Sequence, residues 1–183
     1  PGLLTIFGIG SAFGYRAGIR FTLGVYLGAN LTTLIVFSGL SALFTGFPAL
    51  RNILFLFSLL YFTYFAFRIA LAGSELGIST QKLPGCKAGI ILMLVNPKAY
   101  MTMSALYLGF PLLAFDPFNE AIIKVVIANI IWIPGHLLWL HAGVSVNRLQ
   151  LSKKTKKGVN FTLAIIILIA VFGSAIASMS NVI

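Results

Sequence analysis

Few residues of this sequence can do chemistry. The most unusual group is Asn96-Pro97-Lys98, set inside the apolar stretch ILMLVNPKAYMTM at 91–103. Proline in a helix interior costs about 3 kcal/mol, because it lacks an N–H and its ring clashes with the carbonyl four residues back, here that of Met93. It also pushes the preceding Asn96 away from helical geometry. Asparagine is a preferred N-cap and proline is favoured at the first helical position. Asn-Pro therefore predicts that one helix stops near Val95 and a new one starts at Pro97. A helix start leaves backbone N–H groups, here from Lys98 onward, without intrahelical partners. It also carries about half a unit of positive charge, which suits an anion such as a carboxylate. The other reading is a plain proline kink whose freed carbonyl a neighbouring helix satisfies. Lys98 either meets the same anion, or bonds exposed helix carbonyls, or lines a water cavity. Facing lipid uncompensated is its costliest option.

Other residues extend this pattern. Pro1-Gly2 opens the chain with the same helix-start chemistry. Asn30, in LGANLTTL, lies 29 residues after Pro1, and Asn129, in VIANIIWI, lies 32 after Pro97. Two proline-started half-helices in oppositely directed spans point to an inverted repeat. His136 and His141 are the only histidines, and Glu75, Asp116 and Glu120 all sit near span ends or in loops. Histidine is then the titrating group left for proton coupling, with His136 the candidate. His141, nearer a span end, suits packing at the interface. The single cysteine, Cys86, forms neither an internal disulfide nor a redox pair, and no metal-ligand cluster or cofactor motif is present. Ser104 and the histidines form no recognisable nucleophile–base pattern, so nothing points to an enzyme.

The elements that must carry these residues are spanning helices. The chain has 183 residues, of which 59% are hydrophobic and 9% charged, and a mean hydropathy of +1.01. That is an all-α membrane protein, not a soluble domain. Six segments read as spans, about 1–14, 19–44, 52–72, 88–114, 120–146 and 159–179. The chain opens without an initiator methionine, and 1–14 as a helix would reach only about 21 Å, so the first span is expected to be truncated. The whole is expected to be one domain, with a first repeat at about 1–72, a linker at about 73–87 and a second repeat at about 88–183.

Basic residues sort by side. The first, third and fifth connections, with the adjoining helix ends, hold Arg16, Arg20, Arg68, Lys82, Lys87, Arg148, Lys153, Lys154, Lys156 and Lys157; the second and fourth hold Arg51 and Lys124. The positive-inside rule places the three basic connections in the cytoplasm and both termini outside. The net charge of +10 is read the same way, as cytoplasmic loops and anionic lipid, and not as a nucleic-acid surface.

With these pieces in order, the chain resembles the LysE/RhtB family of amino-acid exporters. LVNPKAYMTM resembles the family's Leu-Leu-Asn-Pro-Lys-Ala block, and PGLL the tail of its Pro-Gly-Pro-Asn block. GYRAGIRFTLGVYLGANL resembles its Gly-rich entry to the second span. LLYFTYFAFRIALA is similar to its third-span Tyr-x-x-Tyr-x-x-Trp-Arg pattern, through Tyr61, Tyr64, Phe67 and Arg68. The match touches the first four spans. It departs at Gly2, where asparagine is usual, and at Phe67, where tryptophan is. The resemblance implies proton-driven efflux of amino acids or related metabolites from a bacterial inner membrane, by a protein that allows a homodimer. The expected substrate site is Pro1, Gly2, Asn30, Tyr61, Asn96, Pro97, Lys98 and Asn129, facing one another near the midplane. A metal or inorganic-ion exporter and a non-transporting scaffold are the alternatives.

The remaining features have structural readings. Gly24 and Gly28 form GxxxG, which allows close helix approach within one chain or across a dimer. Pro134-Gly135 is expected to bend the fifth span, as a gating hinge or a simple kink. Arg68 is expected to snorkel to the headgroups. SKKTKK reads as a solvated loop, and Trp132 and Trp139 as packing and lipid contacts.

Overall fold

The computed structural model describes residues 2–39, 46–72, 83–110, 112, 116–149 and 151–180. Within them lie six helices: α1 (Gly2–Phe37), α2 (Pro48–Ala70), α3 (Cys86–Leu94), α4 (Pro97–Leu108), α5 (Pro117–Arg148) and α6 (Lys153–Ser180). No strand occurs among the described residues. Four helices among the described residues are long and apolar enough to cross a membrane, and α3 with α4 passes the same test as a pair bent by 72°, the form of a broken span or a re-entrant loop.

α1 is itself two helices. Its 36 residues would reach about 54 Å as one rod, well beyond the ~30 Å hydrocarbon core. Gly14 breaks it, with φ 78° and ψ −174°, a left-handed-region φ open at little cost only to glycine. A Cβ placed on Gly18 would lie 3.5 Å from the Cα of Gly10. In a continuous helix those residues would be about 12 Å apart along the axis, so the chain folds back on itself at Gly14. The break takes one residue: Tyr15 to Arg20, expected as a loop, are helical. It also frees the Ser11 carbonyl, which accepts a 2.7 Å hydrogen bond from Asn147 Nδ2 on α5.

Two other expected boundaries move. The second span ends at Phe37, with Gly39 at φ 79°. The tract expected as a cytoplasmic loop is the first turns of α6, because Ser152 caps it: Thr155 N–H donates to Ser152 Oγ at 3.2 Å and Lys156 N–H to the Ser152 carbonyl at 2.9 Å. α5 runs helical through Pro134, so the chain is not broken there.

The core is drawn from both halves of the chain. Ile6, Ile9 and Phe21 of α1, Phe65 and Ile69 of α2, Leu92 of α3, Leu140 of α5 and Ile167 of α6 are all fully buried. Helix approach is set by glycine. A Cβ on Gly24 would fall 1.9 Å from the Cys86 carbonyl oxygen, one on Gly28 2.7 Å from Met93 Cβ, and one on Gly89 2.3 Å from the Phe21 carbonyl oxygen. The GxxxG motif therefore packs α1 onto α3 within one chain. α5 lies along α1, where Phe7 and Trp139 meet edge to face at 6.0 Å, and α2 pairs with α6, where Asn160 Nδ2 bonds the Ala72 carbonyl at 2.8 Å. Large apolar side chains such as Ile130, Leu138 and Ile169 are exposed, as lipid-facing residues are.

Candidate functional site

The Asn-Pro break forms as its residue types require. Pro97 opens α4, and Asn96 is its N-cap, with Oδ1 accepting the Lys98 N–H at 3.1 Å. The Ala99 N–H donates to the Asn96 carbonyl at 3.0 Å. Two N–H groups expected to face an anion are thus already bonded. The carbonyls freed by the break are also met. That of Met93 accepts from the Asn96 N–H at 3.2 Å, and that of Leu94 from the Tyr100 hydroxyl at 2.9 Å. The break satisfies its own backbone, and its consequence is the 72° bend that carries α4 away from the line of α3. Pro97 is buried, and the Lys98 side chain is exposed.

A cavity of about 680 Å³ lies between α1, α4 and α5, within the size range of small-molecule sites. It brings together Asn30, Asn129 and His136, three of the expected site residues. The two asparagines are held alike. Asn30 Nδ2 donates to the Tyr26 carbonyl at 2.9 Å, and Asn129 Nδ2 to the Val125 carbonyl at 2.7 Å. Each amide is tied to its own helix four residues back, which leaves Oδ1 as the acceptor to offer. His136 stacks on Trp132, ring centroids 3.4 Å apart, with Nδ1 2.8 Å from the Trp132 carbonyl. A carbonyl can only accept, so Nδ1 carries the proton and Nε2 is the acceptor of the neutral ring.

The other expected residues lie elsewhere. Asn96, Pro97 and Lys98 are not among the residues lining this cavity, although Thr102, Met103, Leu106 and Tyr107 of the same helix are. Gly2 starts α1 and does not line it, whereas Leu3 does; Pro1 lies outside the described residues. Tyr61 lines a different cavity, of about 620 Å³, between α2 and the start of α3, with Arg68, Cys86 and Lys87. Its hydroxyl donates to the Ala88 carbonyl at 3.2 Å. Arg68, expected among headgroups, is half-buried there, its guanidinium 5.5 Å from the Phe13 ring centroid and 5.6 Å from that of Tyr64. His141 is exposed and meets the ring of Tyr15 at 5.8 Å, as a packing histidine does.

One group escaped the sequence reading. Lys124, taken there as a stray cation on the outer side, lines the large cavity and is only 6% exposed. Its Nζ donates to the Tyr107 carbonyl at 2.8 Å and pairs with Glu120 one turn back. The i,i+4 spacing of Glu120 and Lys124 was the available signal. Trp132 and Trp139, expected as packing and lipid contacts, also line the cavity.

The family model described as LysE type translocator matches residues 1–180. No curated protein matches, and no solved structure does.

Proposed function

The chain belongs to the LysE type translocator family, multi-pass membrane exporters of small molecules, and from that premise we propose that it exports amino acids or close relatives against a proton gradient. The observation that carries this reading is the convergence of Asn30, Asn129 and His136 on one cavity between three helices. Asn30 and Asn129 contact the solute. His136 takes up the proton on Nε2, as the one imidazole among the described residues of the cavity wall. Asn96-Pro97 acts by shape: its bend sets α4 aside and opens the space that α4 and α5 enclose. The second cavity, with Tyr61, Arg68 and Lys87, is the cytoplasmic approach, where two cations attract a carboxylate.

The basic connections support a cytoplasmic placement of that side, in a bacterial inner membrane, and two repeats at about 1–72 and 88–183. Pairing of α1 with both α3 and α5, and of α2 with α6, is the pattern such a two-fold would give. The cavity wall carries no Asp, Glu or Cys among the described residues, which favours an organic solute over a divalent metal ion.

The test is efflux from cells expressing the full-length chain and preloaded with a panel of labelled amino acids, with and without an uncoupler. Uncoupler-sensitive loss, abolished in Asn30→Ala or Asn129→Ala variants that still reach the membrane, is the expected result. Unchanged efflux in both variants would remove the cavity from the pathway.

A further inference from the structure

The large cavity is lined by one charged side chain among the described residues. Lys124 supplies one ammonium, nine-tenths buried. Two of its three N–H bonds go to the Tyr107 carbonyl and to Glu120, which leaves one to offer. Oδ1 of Asn30, Oδ1 of Asn129 and Nε2 of His136 are acceptors, each set by the bond that its side chain's nitrogen makes. Tyr26, Thr33, Thr102, Tyr107 and the two tryptophans add neutral polar groups, and the rest of the lining is apolar, with Leu3, Ile127, Ile131, Met103, Leu106 and Phe110.

We propose that this cavity takes zwitterionic amino acids with uncharged, apolar side chains, the carboxylate bound by Lys124 and the ammonium by the asparagine oxygens. The proposal rests on the exporter reading and narrows its substrate class.

Lys124 and Asn129 stand on the same helix, α5, and both line the cavity, with Asn30 facing from α1. Charge decides the rest. A lysine or arginine substrate would bring a second cation beside Lys124, with no lining carboxylate to receive it, since Glu120 is already held by Lys124. A glutamate substrate would bring a second carboxylate with no second cation among the described lining residues to pair with it. Buried charges without partners are costly, so both classes are rejected, while an apolar side chain meets the aliphatic and aromatic wall.

Both tryptophans of the sequence line the cavity, so intrinsic fluorescence reports binding. The experiment titrates the purified full-length protein in nanodiscs with leucine, methionine, lysine, glutamate, leucinamide and 4-methylpentanoate. The last two lack the carboxylate charge and the ammonium respectively. Saturable changes with leucine and methionine, and affinities at least about ten-fold weaker for the other four, are expected from loss of one charge-assisted hydrogen bond. A Lys124→Met variant that remains monodisperse should bind leucine and leucinamide alike. Leucinamide binding as well as leucine to the wild-type protein would overturn the role of Lys124. Preferred binding of lysine would overturn the substrate class and leave the exporter reading standing. No response to any solute, with no efflux of any amino acid, would overturn both.

Discussion

Asn147 and Ser11 are far apart in the chain, yet one hydrogen bond between them decides whether the fold-back at Gly14 is tolerable. The Ser11 carbonyl has lost its helical donor to the break and belongs to a buried residue, and Asn147 Nδ2 meets it at 2.7 Å. Truncating Asn147 to alanine leaves that carbonyl unsatisfied, at a cost of about 1–3 kcal/mol. The expected outcome is a lower unfolding temperature of the purified protein. Asn147→Asp, an acceptor where a donor is needed, should do no better than alanine. At this scale the sequence singled out Asn30, Asn129 and His136, which line one cavity, because an amide or imidazole in an apolar helix needs a reason to be there. It passed over Lys124 because a lysine near a helix end has an easier explanation in water or headgroups. Only the position of the Tyr107 carbonyl across the cavity turned it into a buried cation.

The helices are set against one another by absent side chains. Gly24 and Gly89 face each other across the contact of α1 and α3. Each would place a Cβ within 2.5 Å of backbone atoms that cannot turn aside. Even Gly24→Ala must therefore part the two helices. The expected outcome is loss of the monodisperse peak in fluorescence-detected size exclusion, with Leu23→Ala, on an exposed position of the same helix, as the control that keeps it. Asn96-Pro97 acts on the next element. The double variant Asn96→Ala, Pro97→Ala restores a helical donor and relaxes the 72° bend, so α4 swings toward the cavity. Efflux should be lost while membrane insertion and expression remain; normal export would show that the bend is not needed. The helix break was legible in the three letters Asn-Pro-Lys. That its N–H groups are spent on Asn96 itself was not, because capping geometry follows from the rotamer and not from the residue type.

For the whole molecule, the proposed orientation rests on charge. Ten basic residues lie in or beside three connections and two in or beside the others, and Cys86, the single cysteine of the sequence, lies at the start of α3 on the basic side. In intact cells Cys86 should react with a membrane-permeant maleimide and resist a charged one until the membrane is opened. Reaction with the charged reagent from outside would invert the topology. The four lysines in the first turns of α6 oppose the helix dipole. Their place there is consistent with an end that reaches into headgroups or water, where the repulsion is screened.

By itself the sequence determined the class, the helical spans, the break at Asn96 and the residues that could not be lipid contacts. Each of these rests on local chemistry: apolar length, a proline without an N–H, a polar side chain in an apolar run. The tertiary structure decided the rest. It turned the expected loop after Gly14 into a one-residue reversal, and the GxxxG motif into a contact within one chain. It separated Tyr61 and Asn96 from the cavity that Asn30 and Asn129 share, and it placed Lys124 on the cavity wall. These depend on how helices distant in sequence approach, and approach is set by side chains meeting across the gap, which no stretch of the sequence contains alone.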